Sequence, residues 1–145
     1  MAQSWRDDVP VAVQDDIEEC FGCVLDLAGH LLGKNGEFFP VGATLADSGG
    51  SANLFANGDD DLGERPESTV VLERLYAAAA GQRAAIVAAA FASDVRLAGG
   101  QDAVRVEVEH LDGPALEIVV PYRRSRLRRS VTFGDMSTAT GTRHI

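Results

Sequence analysis

The sequence predicts an α+β domain in the order helix, two strands, helix, three strands, with one antiparallel sheet of about five strands packed against two helices. Three observations predict it. Residues 103–122 alternate apolar and polar on either side of Asp112-Gly113, the strongest short-range hairpin signal a single sequence offers. Val13, Ile17, Phe21, Val24, Ala28 and Leu31 recur at helical spacing. A second helical run, Glu67 to Ala80, separates two extended segments from three more.

Residues 1–10 read as a polar lead-in. The first helix, Val13 to Leu32, carries Asp15, Asp16, Glu18 and Glu19 on the face opposite its apolar stripe, and Gly33 and Gly36 end it. Glu37 to Ala46 reads as a strand, with Pro40 placing it at an edge or beside a bulge. Asp47-Ser48-Gly49-Gly50 is a turn, and Asn53 to Ala56 a short second strand. Asn57 to Pro66 is a Gly- and Asp-rich loop. The second helix, Glu67 to Ala80, has Pro66 near its start and Gly81 at its end. Ala84 to Leu97 begins as a buried strand. Ala103 to Leu111 puts Val104, Val106 and Val108 on one face and Arg105, Glu107 and Glu109 on the other; Leu116, Ile118, Val120 and Tyr122 repeat the pattern. Val131 to Gly134 offers a last edge strand. Both helices are expected on the apolar face, leaving the charged face to water or a partner. Residues 1–134 are read as the single domain and 135–145 as a flexible tail.

Net charge is −9, unevenly placed: residues 123–145 carry +5, so the rest carries −14. The acidic body argues against nonspecific nucleic-acid binding. No leader-like apolar run occurs in residues 1–20, and Ile86 to Ala92 is too short to span a bilayer, so the expected setting is cytoplasmic, with Cys20 and Cys23 reduced and no membrane contact.

The last third resembles a group of small bacterial proteins of uncharacterised function, through Asp94-Val95-Arg96, Asp102-Ala103-Val104-Arg105, Glu109-His110, Gly113 and Pro121-Tyr122. The resemblance implies no activity. The element order also resembles that of profilin-like and roadblock-type domains, a likeness of topology only.

Four groups of residues are candidate sites. Cys20-Phe21-Gly22-Cys23 is a CxxC, but it lies inside a helical pattern beside Glu18 and Glu19, which oppose thiolate formation. A zinc site there would need further ligands such as His30, so the bland reading is two small core residues. Asp94, Arg96, Arg105, Glu107, Glu109 and His110 form the second group. His110 falls on the apolar side and is expected to reach a carboxylate such as Asp94, the arrangement of a general base; cross-strand ion pairing with a structural histidine is the plainer reading. The carboxylate run from Asp59 to Glu64 lacks calcium-loop spacing. Arg123, Arg124, Arg126, Arg128 and Arg129 suit phosphates or carboxylates, but no aromatic interleaves them for base stacking.

The chain therefore reads as a small binding or interaction module without a cofactor, working as a homodimer through its last hairpin or sheet edge, or on an acidic protein partner. The alternative is an enzyme or small-ligand sensor with a pocket between the first helix and the sheet, near Asp94, Glu109 and His110. A third reading is nucleic-acid binding through the Arg123–Arg129 run.

Overall fold

A computed structural model describes residues 4–56, 67–125 and 127–145. Its elements are α1 (Val11–Asn35), β1 (Val41–Leu45), β2 (Asn53–Ala56), α2 (Ser68–Gly81), β3 (Ala88–Arg96), β4 (Asp102–His110), β5 (Ala115–Ser125), β6 (Ser130–Phe133) and β7 (Ser137–Thr140), with a short 3-10 turn at Arg83–Ala85. All strand pairs are antiparallel. The sheet runs β2-β1-β3-β4-β5-β6 and curls into a half-barrel, with β7 also on β5. The α+β class and the single antiparallel sheet agree with the sequence reading. The strand count does not: seven strands stand where about five were expected.

The extra strands share one edge of β5. β7 pairs with residues 116–119 and β6 with residues 122–125. Pro121, which has no N–H to give, lies at the junction, and its carbonyl accepts from Gly134 N at 2.7 Å. The segment read as a flexible tail thus contributes a strand. Its sequence, Ser-Thr-Ala-Thr, is exposed throughout and has no apolar alternation to announce it.

The helices lie on opposite faces, which corrects the expectation that both cover one. α1 buries Val13, Ile17, Cys20, Val24, Ala28 and Leu32 against Ala88, Ala90, Ala92 and the valines of β4. α2 buries Val71, Leu72, Leu75 and Ala79 against Ala89 and Phe91. Neighbouring residues of β3 therefore serve two cores. The alanines among them let α1 come near the strand, while Phe91 fills the core under α2.

The predicted hairpin forms between β4 and β5, but Gly113 does not take the positive φ of a tight Asp-Gly turn. Its bareness makes room for α1: a Cβ there would stand 2.6 Å from Val13. At the far end of α1, Gly36 takes φ 80° and donates to Leu32 O at 2.8 Å, closing the helix in the left-handed conformation that glycine favours.

Candidate ligand cleft

α1 packs on β1, β3, β4 and β6. A cleft of about 820 Å³ lies between α1, the segment Ser4–Arg6, β5 and β7. Trp5, Ile17, Phe21, Leu116, Ile118 and Met136 give it apolar walls, and Ser4, Thr138 and Thr140 add hydroxyls. Thr138 and Thr140 reach it because they pair with Ile118 and Leu116, whose side chains face α1. At the rim Arg6 bonds Glu18 and stacks over the Trp5 ring at 4.3 Å. A pocket between the first helix and the sheet was expected; Asp94, Glu109 and His110 do not line the one that forms.

Those three residues are instead dispersed. Asp94 pairs with Val104 on the neighbouring strand, and His110 lies six residues further along β4, roughly 20 Å away. Asp94 accepts the Tyr122 hydroxyl at 2.7 Å, so the expected contact with His110 does not form. Burial raises the Asp94 carboxyl; the Tyr122 bond opposes this, and Asp102 and Glu37 add to it. Burial and that same bond push the Tyr122 phenol well above its ordinary value. Arg96 makes an exposed pair with Asp102 at 3.3 Å, a contact worth little.

His110 bonds Asp16, a residue whose role the sequence reading missed. Asp16 was placed on the acidic outer face of the helix, yet it is 1% exposed. Its carboxylate accepts from Ser48 Oγ at 2.7 Å, Gly49 N at 2.8 Å and His110 Nε2 at 2.9 Å. His110 Nδ1 accepts from Asp112 N at 3.0 Å, so the proton of the neutral ring sits on Nε2. Burial would raise the Asp16 carboxyl; the Gly49 amide, the Ser48 hydroxyl and His110 outweigh it and hold it below its ordinary value. Serine, aspartate and histidine meet here, but in the wrong order for catalysis. Both donors point at the carboxylate, and the imidazole does not touch the hydroxyl. The cluster ties α1, the β1–β2 turn and the end of β4 together.

The face of β4 expected to meet water or a partner is covered by the chain itself. Glu107 and Glu109 are 5% and 2% exposed. Glu107 accepts from Tyr76 and from Arg105, whose Nε also reaches Glu117 at 2.7 Å. Burial first, then the bond to Glu107, raises the Tyr76 phenol well above its usual range. Residues 142–145 complete the cover as a strap, with His144 Nε2 3.1 Å from Glu107.

The arginine run is divided. Arg124 donates to Leu32 O at 2.9 Å and Gly33 O at 3.5 Å, meeting the negative end of the α1 dipole. Arg123, Arg128 and Arg129 are exposed, and Arg126 lies outside the described residues. So does the carboxylate run from Asp59 to Glu64.

Cys20 is fully buried inside α1 and Cys23 half-buried one turn on. Burial, with Cys23, Glu19 and Asp16 nearby, pushes the Cys20 thiol up to about 12. Burial and the charges of Glu19 and Asp26 raise that of Cys23. Among the described residues no group of His, Cys, Asp or Glu is placed to hold a metal ion. A thiol-disulfide reagent at neutral pH is expected to label Cys23 slowly and Cys20 only on unfolding. Rapid labelling of Cys20 in the native protein would contradict this burial.

No family model, curated protein or solved structure matches this chain. Among the described residues, no helix is long and apolar enough to cross a membrane.

Proposed function

We propose that the protein is a binding domain that takes one small, largely apolar molecule in the cleft between α1 and the β5–β7 edge. The observation that carries this is the cleft itself. Its volume falls in the range of small-molecule sites, roughly 300–1,000 Å³, and is too small for a folded partner. Its walls are mostly aliphatic and aromatic, with a few hydroxyls to orient a polar group. The charged rim groups, Arg6 and Glu18, engage each other, so an apolar body with one or two hydrogen-bonding groups fits better than a multiply charged ligand. The dispersal of Asp94, Glu109 and His110 favours binding over catalysis, because general-base chemistry needs its groups within hydrogen-bond reach of one substrate.

Trp5 is the one tryptophan of the chain and lies in the cleft wall, which supplies an internal reporter. Titration with anilinonaphthalene sulfonate is expected to quench Trp5 by energy transfer, saturably, at one probe per chain. Thr138 is exposed on β7, so Thr138→Phe fills the cleft without disturbing either core. It is expected to weaken the probe about tenfold or more, equivalent to about 1.4 kcal/mol. Quenching that does not saturate, or that Thr138→Phe leaves unchanged, would overturn the proposal.

A further inference from the structure

One wall of the cleft is the unpaired edge of β7. Residues 137–140 pair with β5 on one side only. The phase of that ladder is fixed by Gly141, whose N–H donates to Ala115 O at 2.9 Å. In an antiparallel pair the N–H and C=O of one residue point the same way, and successive residues alternate. Gly141, Ala139 and Ser137 therefore turn their polar backbone groups toward β5, and Thr138 and Thr140 turn theirs outward. Among the described residues, none donates to or accepts from the backbone of Thr138 or Thr140 on that edge. Ala139 pairs with Glu117 and shares its face, away from α1, yet it lines the cleft, so the β7 backbone itself forms part of the wall.

The side chains follow the same division. Thr138 and Thr140 pair with Ile118 and Leu116 and share the face that meets α1. A strand laid antiparallel on this edge, as every pair in the sheet runs, puts the residues opposite Thr138 and Thr140 on that face too. Those positions look onto the apolar walls formed by Trp5, Ile17, Phe21 and Met136. The edge thus offers hydrogen bonds to a main chain, and the cleft beside it offers apolar contact to alternate side chains. These are the two components of recognition by strand addition. A second β7 would bring only threonines to these walls. Arg6 and Glu18 engage each other at the rim, so an uncharged internal stretch fits better than a chain end.

We infer that the cleft takes its ligand as an added strand. That ligand is a short extended peptide segment, its main chain bonded to Thr138 and Thr140 and its apolar side chains, at alternate positions, turned toward α1. The inference rests on the binding-domain reading above and names the chemical class of the ligand. The backbone bonds supply affinity for any extended chain, and the apolar walls select its side chains. The free edge is only as long as β7, Ser137–Thr140, so the segment it holds is short.

The probe is the blocked peptide acetyl-Ser-Leu-Thr-Leu-Ser-amide, added to the full-length protein and followed by Trp5 fluorescence and by displacement of anilinonaphthalene sulfonate. It is expected to bind saturably, one per chain, and to displace the dye. Its counterpart N-methylated at both leucines keeps the side chains and adds apolar surface, but cannot donate to β7. That form is expected to bind about tenfold or more weakly. On the protein, Thr140→Pro removes one outward N–H and leaves the β5–β7 ladder intact, because that group faces away from β5. It is expected to weaken the peptide about fivefold more than Thr140→Val, which loses the hydroxyl and keeps the N–H. Dye that binds while the peptide does not, or an N-methylated peptide as tight as its parent, would overturn the inference and leave the binding-domain reading standing. Failure of dye and peptide alike would overturn both. A peptide-free dimer in light scattering that Thr140→Pro dissolves would give the edge to a second copy, and would likewise overturn the inference.

Discussion

Asp16→Ala is expected to lower the unfolding free energy by about 3–5 kcal/mol, the usual effect of removing one member of a buried, hydrogen-bonded polar cluster. The substitution strands three donors at once: the Ser48 hydroxyl, the Gly49 amide and His110 Nε2. Two of them sit in the β1–β2 turn and one at the end of β4, so the loss falls on three elements. Asp16→Asn keeps one acceptor oxygen and should lose less, about 1–3 kcal/mol. Urea unfolding of the three proteins gives the order directly.

The pH dependence has a definite sign. The Asp16 carboxyl sits lower in the folded chain than its ordinary value of 3.8. Its contribution is therefore fully present above that value and is lost as pH falls through the lower folded one. Asp16→Asn should flatten the acid limb of the stability curve. An acid limb identical to wild type would mean that Asp16 is not held as an anion by these donors.

Phe91→Ala is the second large effect, about 3–5 kcal/mol, because it empties the middle of the core under α2. Phe91 is 1% exposed and meets Phe55, Tyr76 and His144 edge-on. The same cavity lies beneath the strap, so Phe91→Ala and His144→Ala should not add. A double-mutant cycle is expected to show coupling of at least about 0.5 kcal/mol. Strict additivity would mean that the strap does not share this core.

The helices, the β4–β5 hairpin and the inward valines of β4 were legible because each is written locally, in a period of 3.6 or of 2. The covering of both faces went unread, with both helices expected on one face, although a signal stood in β3: Ile86 to Ala92 is apolar without alternation, as in a strand buried on both faces. Asp16 could have been found the same way. It stands three residues after Val13 and four before Cys20, inside the buried stripe rather than opposite it. β7 could not, since its pairing is dictated by the edge that β5 leaves open before Pro121. Nor could the cleft, whose lining comes from the lead-in segment, α1, β5 and β7 and converges only when the sheet curls. Glu107 and Glu109 looked solvated because nothing local says that α2 and a distant strap cover them.

Amide and indole chemical-shift mapping of the full chain, as anilinonaphthalene sulfonate is added, tests the binding-domain account most directly. Saturable shifts are expected at the Trp5 indole, Phe21, Leu116–Ile118 and Met136–Thr140, and in Thr138→Phe only at about tenfold or more higher probe concentration. Shifts centred instead on Tyr76 and Phe91, or none at all, would contradict it.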